Sequence, residues 1–407
     1  MDLLLRRARL DDSRPVVDIA IAEGRIAAIG PTLSAPAQQE VDVDGRVVIP
    51  GLVEPHIHLD KALLTGRVHN YSGTLSEALR ATSEAKRTFT RADVQHRAEA
   101  ALRMCLAFGT TTLRAQTEFD PVLGLVGLEA LLELKSKYSA VVDIQIVAFP
   151  QEGIHQAPGT LDLFHEALRM GVDVVGGVPY NDRSAEEHID TCFALARQYG
   201  RPLSFHQDFA DDATSLSIAY LARRTIAESM QGRVEVGHAT ALGALALAEL
   251  AEICELLATA DISVISLPMT DLHLGGRSDT HNVRRALAPI KALLQAGVNV
   301  AAGANNLRNA FTPFGTGDPL LTAFLLIPTA HLGDEDLLPG VLDLVTHNAA
   351  RAVGRADYGV RPGARADLVV LDTLRYADAV LDLPARAWVI QSGRVTQTTE
   401  IVRHTAY

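Results

Sequence analysis

The feature that most constrains the fold of this chain is a series of eight short apolar runs, separated by segments of helical or loop character. The runs are 52–58, 110–116, 142–151, 172–179, 202–208, 234–240, 262–268 and 298–305. Helical apolar spacing is found between them, at 93–108, 160–170, 185–199 and 282–296. Eight strands that alternate with helices most simply close into a (β/α)8 TIM barrel. An open doubly wound sheet is the competing fold, but it usually has a glycine-rich phosphate loop after its first strand, and this sequence has none.

The two ends of the chain differ in pattern from its middle. Residues 1–50 and 355–407 consist of short β-type runs that are separated by turn residues. We therefore predict a small β-sandwich-like domain formed from both termini, next to a catalytic barrel that spans 51–354.

Composition and charge exclude several classes of protein. Of the 407 residues, 48% are hydrophobic and 21% are charged, which is typical of a globular enzyme. A net charge of −12 disfavours binding to nucleic acid or to an anionic membrane. The three cysteines are scattered without a CxxC spacing, and neither a signal peptide nor a membrane span is recognisable. We expect a cytoplasmic protein with reduced thiols.

Histidines stand at the ends of three predicted strands, where barrels of this kind carry their active sites. His56 and His58 end the first strand, His206 the fifth and His238 the sixth. Two strand residues that are two positions apart point to the same side, so His56 and His58 can share a metal ion with His206. A single histidine would be better explained as a hydrogen-bonded polar residue, but four at three strand ends indicate a metal site or descent from one.

Polar residues also stand at or near the ends of other predicted strands. Gln151 ends the third strand, and a buried amide there could donate to and accept from an amide or amidine edge of a ring. A solvent-facing turn residue is the alternative interpretation. Two interpretations explain Lys61 equally well: an ordinary surface lysine and a residue of the site. The eighth strand ends in Asn305 and Asn306.

The motifs that surround these residues resemble a known family. They are VIPGLVEPHIHLDK, IVAFPQEGI, FHQDFADD, VGHATALG and GANNLRNAFTPFGTGDP. They resemble the branch of the amidohydrolase superfamily that contains cytosine deaminase and N-isopropylammelide amidohydrolase, over essentially the whole chain. The resemblance implies a homo-oligomer that acts on a small heterocyclic substrate. It also implies roles for single residues: His56, His58 and His206 bind one divalent ion, Zn²⁺ or Fe²⁺; His238 orients the attacking water; Gln151, Asn306 and Phe311 border the ring.

Two positions depart from the pattern of that family. Asn305 stands where the family has an aspartate that binds the metal and takes a proton from the attacking water, and Phe209 replaces a proton-shuttling glutamate. An asparagine brings neither charge nor a basic lone pair, so the ion should bind weakly or not at all. A general base typically contributes about 10²–10⁴-fold to the rate, so another group must replace it. Candidates by sequence proximity are Asp208, Asp60, His238 and His273, and Lys61 is a further candidate for acid–base chemistry.

Three hypotheses follow from these observations. The first is a hydrolase that uses metal-activated water to release an amine from a cyclic amidine or amide, of the aminopyrimidine or triazine type. The second is a diverged barrel enzyme that works without a metal. The third is a ligand-binding protein that has lost catalysis, because a fold alone does not establish a function.

Overall fold

Strands and helices alternate along the middle of the chain. The computed structural model describes residues 1–34, 36–402 and 404. The strands of this part of the chain are β1 (Leu3–Ala8), β2 (Val17–Ala22), β3 (Arg25–Gly30), β4 (Gln39–Asp42), β5 (Val47–Pro50), β6 (Leu52–Ile57), β7 (Thr110–Glu118), β8 (Asp143–Phe149), β9 (Val174–Gly177), β10 (Leu203–Gln207), β11 (Val234–His238), β12 (Ser263–Ser266), β13 (Val300–Ala302), β14 (Leu368–Leu371), β15 (Arg386–Gln391) and β16 (Arg394–Thr398). The α-helices are α1 (Leu75–Ala85), α2 (Arg91–Ala107), α3 (Val126–Tyr138), α4 (Thr160–Met170), α5 (Ala185–Tyr199), α6 (Ile218–Ala227), α7 (Leu247–Thr259), α8 (Pro268–Leu274), α9 (Ile290–Gln295), α10 (Pro319–Thr329), α11 (His347–Ala352) and α12 (Asp378–Leu381). Within the described residues, no helix is both long enough and apolar enough to cross a membrane.

The central sheet is a closed barrel of parallel strands. Strands β6 to β13 pair with one another in sequence order. Beyond β13 the chain returns to β6, where Asn305 N donates to His56 O at 2.8 Å and His58 N donates to Asn305 O at 2.7 Å. We call this junction between the first and the last barrel strand the seam. It confirms the predicted (β/α)8 barrel.

Each of the eight apolar runs overlaps one barrel strand, although β7 extends two residues beyond its run, and two of the predicted helices coincide with α4 and α5. The helix predicted over 282–296 is wrong in its first half, because helical structure begins only at Ile290. Pro289 explains the difference, since its ring disfavours helical backbone in the preceding residue. Asn282 also has a φ of 48°, in the left-handed region.

Two four-stranded sheets are formed by the two ends of the chain. One has the order β3-β2-β1-β4, and the other has the order β16-β15-β14-β5. Fully buried side chains of the two sheets pack into one cluster, for example Leu5 and Ile21 against Leu368 and Ile390. The predicted additional β-structure from both termini is therefore present. The domain boundaries at residues 50 and 355 stay predictions.

Helix α1 covers the mouth of the barrel at the C-terminal ends of the strands. It begins after Thr74, whose side chain accepts a hydrogen bond from Glu77 N and so satisfies a free donor of the first turn. Leu75 and Leu79 are one turn apart, and both contribute to a cavity below the helix. Lys86 follows at the end of the helix and is buried.

Candidate active site

Three imidazoles meet at the mouth of the barrel. His56 and His58 come from the end of β6, and His206 comes from β10. The Nε2 atom of His206 lies 3.2 Å from Nε2 of His56 and 3.1 Å from Nε2 of His58. A tetrahedral ion with Zn–N bonds of about 2.0–2.1 Å would hold two such nitrogens about 3.3–3.4 Å apart. The three side chains therefore fit as ligands of one divalent ion.

Burial keeps these three imidazoles neutral. Their removal from water lowers the pKa of His56, His58 and His206 well below the usual 6.5. A metal ion binds the neutral ring, so no proton has to be displaced at neutral pH. The ring of Phe149 stacks on His206 with 4.7 Å between centroids, and Gln116 Nε2 lies 3.3 Å from His56 Nδ1. These neighbours hold the rings in the orientation in which their Nε2 atoms converge.

A fourth histidine, His238, is paired with a carboxylate. Its Nδ1 lies 2.6 Å from Oδ1 of Asp271 in α8, and both side chains are buried. Burial raises the pKa of Asp271, and the nearby His238 opposes that rise. With the Nδ1 proton held by the carboxylate, Nε2 keeps a lone pair that can accept another proton. The pair therefore has the form of a general base with its orienting acid.

The backbone and one neighbour of His238 are also unusual. Its φ is 71°, a left-handed conformation that costs on the order of 1–3 kcal/mol for a residue other than glycine and is common at functional sites. The ring of Phe209 stacks against the imidazole, with 4.2 Å between centroids and 16° between planes. An aromatic wall therefore stands where the resemblance to cytosine deaminase implies a glutamate.

Asn305 lies at the seam and lines the same cavity as His58, His206 and His238. Its φ is 58°, which asparagine tolerates better than most residues. Its Oδ1 is buried and has no hydrogen-bond partner among the residues that the structure describes. A buried amide oxygen without a partner is suited to a cation or to a donor of a ligand, but it brings no charge.

A buried glutamate that the sequence analysis did not identify supports the seam from below. The carboxylate of Glu54 accepts hydrogen bonds from His56 N and from Ala304 N, both at 3.1 Å. Burial raises the pKa of Glu54 to about 8. Gly303 leaves room for it, because a Cβ at that position would lie 2.8 Å from Oε1 of Glu54. Glu54 thus braces the backbone that carries His56 and Asn305.

Lys61 and Gln151 form a polar wall of the cavity. Lys61 Nζ lies 3.4 Å from Gln151 Oε1 and 3.4 Å from Oε2 of Glu118. It also stands 4.8 Å from the ring centroid of Phe311. An ammonium group can only donate, so Gln151 turns its oxygen towards Lys61 and is left with Nε2 for a ligand. The two-way recognition expected of Gln151 is thereby reduced to donation.

Asn306 is placed in the cavity wall and is held by its neighbours. Its Oδ1 accepts a hydrogen bond from Asn309 Nδ2 at 2.8 Å, and its Nδ2 lies 3.4 Å from Oγ1 of Thr270. The oxygen of Asn306 is therefore occupied, which leaves its amide nitrogen as the group with capacity for a ligand.

The cavity enclosed by these residues is small. Its volume is about 20 Å³, room for about one water molecule, so a ring enters only if side chains of the lining move. No carboxylate belongs to its lining in the described part of the chain, whereas Lys61 places an ammonium group there. The lining residues are His58, Lys61, Leu75, Leu79, Gln151, Tyr180, His206, Phe209, His238, Thr270, Asn305, Asn306 and Phe311.

The structure does not bring Asp208 into this cavity. Its carboxylate accepts hydrogen bonds from Ser217 N at 3.1 Å and from Ile218 N at 3.0 Å, at the start of α6. It thus satisfies free donors at a helix N-terminus. Asp208 is close to His206 in sequence, but its side chain has a structural role.

Asp60 and His273 also lie outside the lining. The carboxylate of Asp60 accepts from the backbone N–H groups of Lys61 at 2.9 Å and Glu118 at 2.8 Å. Burial raises the pKa of Asp60 to about 6. The ring of His273 contacts Arg277 at 3.1 Å, next to a separate surface depression. Of the four groups proposed to replace the missing base, only His238 faces the cavity.

A buried ion cluster lies beside the cavity. Oxygens of Glu118, Asp120 and Glu152 gather as closely as metal ligands would. The ammonium group of Lys86 takes the position of a cation among them, at 2.6 Å from Glu118, 2.5 Å from Asp120 and 2.6 Å from Glu152. Glu118 ends β7, and Asp120 and Glu152 follow β7 and β8 within three residues, so all three could have been noticed as polar residues at strand ends. Lys86 and Asp271 gave no such signal, because each lies on a helix.

Comparison with known proteins agrees with the resemblance that the motifs indicate. The model of the amidohydrolase family matches residues 64–397. N-isopropylammelide isopropyl amidohydrolase of Pseudomonas sp. strain ADP is 28% identical over 98% of this chain and 98% of that protein.

Two solved structures are similar over almost their whole length. The 5-methylcytosine deaminase of Klebsiella pneumoniae, liganded with phosphonocytosine, is 33% identical with a TM-score of 0.94, and the match covers 99% of this chain and 100% of that one. The N-isopropylammelide isopropylaminohydrolase of Burkholderia multivorans is 32% identical with a TM-score of 0.87, over 98% of this chain and 99% of that one.

Proposed function

The chain belongs to the amidohydrolase family, as its motifs predict, and from this premise we propose that it cleaves the exocyclic C–N bond of a small heterocyclic amidine or amide. It is a hydrolase or deaminase of that superfamily, whose named relatives act on C–N bonds of heterocycles. The observation that carries the proposal is the convergence of three Nε2 atoms close to His238, whose ring is held by Asp271, at one end of a small cavity.

His56, His58 and His206 would hold a divalent ion, Zn²⁺ or Fe²⁺. When bound, such an ion lowers the pKa of a coordinated water towards neutrality and polarises the bond under attack. Asn305 offers a neutral amide oxygen in place of a carboxylate, so the affinity for the ion should be lower than with an aspartate. The unpartnered Oδ1 of Asn305 agrees with this role.

His238 would take over the proton transfers. Its Nε2 accepts the proton of the attacking water while Asp271 holds Nδ1, so the imidazolium that forms is stabilised. The oxygen adds to the ring carbon, and the C–N bond to the exocyclic amine then breaks. His238 returns its proton to the departing nitrogen, which leaves as ammonia or as an alkylamine. One group therefore serves as base and then as acid.

The rest of the cavity would hold the ring. Gln151 and Asn306 donate to polar atoms of the substrate, and Phe311 covers part of it. Phe209 supplies an apolar surface beside His238 and cannot move protons. Phe209 therefore favours a substrate whose leaving group needs no proton from a carboxylate at position 209.

Because the side chain of Asn305 is uncharged, there is a second candidate function: a barrel enzyme or a binding protein that holds no metal. Elemental analysis of the purified protein separates the two: the proposal requires close to one Zn or Fe per chain, native or after incubation with the ion. Aminopyrimidines and alkylamino-triazines would then be screened for release of ammonia or amine.

Single substitutions make this test specific. His206→Ala should lose both the metal and the activity. His165→Ala, which removes a histidine that contacts Tyr199 outside the cavity, should lose neither. A protein that never binds a stoichiometric metal, or that works equally well with His206→Ala, would overturn the proposal.

A further inference from the structure

We propose that the cavity binds its substrate as an anion, with two adjacent acceptor atoms of the substrate held by Nζ of Lys61 and Nε2 of Gln151. This inference deepens the proposed function, on which it rests for the identity of the site. The substrate class that it specifies is an oxo-substituted ring whose amide nitrogen next to the oxygen is deprotonated.

Lys61 is a buried ammonium group whose contacts with the described residues are long. Its side chain is 3% exposed, and its contacts with Glu118 and Gln151 are both as long as 3.4 Å. Its other neighbours are the faces of Phe149 and Phe311, with centroids at 5.2 Å and 4.8 Å. An ammonium group has three N–H donors, and long contacts satisfy them poorly. A negatively charged acceptor in the cavity would complete its coordination.

The surroundings of Lys61 hold it in position. Oε2 of Glu118 faces Lys61, while Oε1 is 2.6 Å from the ammonium group of Lys86. Lys86 in turn contacts Asp120 and Glu152, so the carboxylate of Glu118 is shared and cannot move to pair fully with Lys61. Three carboxylates therefore face the two ammonium groups, but the one that contacts Lys61 does so at 3.4 Å, so Nζ of Lys61 keeps donor capacity towards the cavity.

Gln151 presents a second donor beside this charge. Its backbone oxygen accepts from Asn181 Nδ2 at 2.5 Å, and its side-chain oxygen is turned to Lys61. Among the residues that the structure describes, no acceptor contacts its Nε2. A ring edge facing Lys61 and Gln151 therefore meets two donors. A ring N–H at that edge would point a donor at a donor, whereas a deprotonated ring nitrogen would accept.

The charge of the whole lining favours the same conclusion. No described lining residue carries a carboxylate, and residue 305, where the family has an aspartate, is neutral. A divalent ion on the three imidazoles would add positive charge to that of Lys61. A substrate that supplies a negative charge of its own would balance the cavity.

Binding of two matched probes tests this inference without any turnover. 5-Nitrouracil has a ring amide that is ionised at pH 7.5, whereas thymine, a 5-substituted ring of similar shape, is neutral. Their Kd values would be measured by titration calorimetry with the full-length protein. We expect 5-nitrouracil to bind about 10- to 100-fold more tightly, the range for a hydrogen bond to a charged group. Lys61→Met should reduce this preference below about 3-fold, while Lys137→Met, at an exposed lysine of α3, should leave it unchanged.

A double variant covers the case in which Lys61→Met does not fold because Glu118 is left without one partner. Lys61→Met with Glu118→Gln removes both charges together and should show the same loss of preference. Equal binding of the two probes, binding of neither probe, or a preference that survives both variants would overturn the inference. A protein that binds 5-nitrouracil through Lys61 but hydrolyses no heterocycle would refute the proposed function and leave this inference standing.

Discussion

Replacement of Asp271 by asparagine is the sharpest test of the chemistry proposed for the cavity. Asp271 is fully buried, does not contribute to the cavity lining and holds Nδ1 of His238 at 2.6 Å. An asparagine of the same shape can present either an oxygen or an N–H group to that nitrogen. If its N–H donates, Nδ1 loses its proton, and Nε2 becomes a donor that cannot accept from water.

The expected loss follows from what the pair supplies. A general base contributes about 10²–10⁴-fold, and the same substitution in the Ser-His-Asp triad costs about 10⁴-fold through the wrong tautomer. We therefore expect kcat of Asp271→Asn to fall by about 10²–10⁴-fold, with metal content unchanged because no ligand is removed. The assay is steady-state amine release from the heterocycle that the screen identifies, with elemental analysis of the same sample.

The chain offers a matched control for this substitution. Asp182 and His188 form another buried pair, with Nδ1 and Oδ2 2.8 Å apart, outside the cavity lining. Asp182→Asn should lower Tm, because Asp182 also accepts backbone hydrogen bonds, but it should leave kcat within about 3-fold of the parent. If Asp271→Asn kept kcat within about 3-fold at full metal content, the assignment of His238 as the base would be wrong.

Three further substitutions probe the surroundings of the site. Asn305→Asp should raise the affinity for Zn²⁺ by at least about 10-fold, measured against a competing chelator, because a carboxylate adds the charge that an amide lacks; an unchanged affinity would place the side chain outside the coordination sphere. Lys86→Met should destabilise the fold by about 3–5 kcal/mol in urea unfolding at pH 7, because it leaves buried carboxylates without their cation. Burial raises the pKa of Glu118, but Lys86 and Lys61 lower it by more and hold it below 4.5. The loss of stability in Lys86→Met should therefore be complete above pH 4.5 and shrink as the pH falls. A loss of stability that does not depend on pH would contradict the ionic explanation. Gly303→Ala should cost about 1–3 kcal/mol, because its Cβ would press on Glu54, and a Tm equal to that of the parent would show that the seam has room to adjust.

The architecture and the four histidines could be predicted from local patterns. Barrel strands are short apolar runs, and their ends are where polar residues gather, so His56, His58, His206 and His238 could be found without coordinates. Helix limits depend on more than apolar spacing, as Pro289 shows for α9.

Partners that come from different elements could not be predicted in the same way. Asp271 lies 33 residues after His238, and Lys86 lies 32 residues before Glu118. No spacing rule connects residues on a helix with residues at a strand end. Such pairs depend on how helices pack over the barrel mouth, which only the folded chain determines.

Asp208 shows that closeness in sequence can also mislead. It is two residues from His206, but the two side chains point in different directions. Two positions along a strand would place it on the same side as His206. The chain leaves the strand at Asp208, whose φ is 43°, and the side chain turns to the start of α6 instead. Strand periodicity holds only as far as the strand itself extends.

If the three histidines hold an ion as proposed, the seam links binding of that ion to completion of the fold. Glu54 and Ala304 are joined there although they are 250 residues apart in the chain, and the same few residues position His56, His58 and Asn305. Contacts between such distant segments are costly in loop-closure entropy and slow to form. On the proposed function, a nascent or partly folded chain would lack the complete set of ligands, so it would neither act on heterocycles nor retain an ion. A bound ion would in turn stabilise the last junction of the barrel, so we expect a chelator to act on the metal-loaded protein as a mild denaturant.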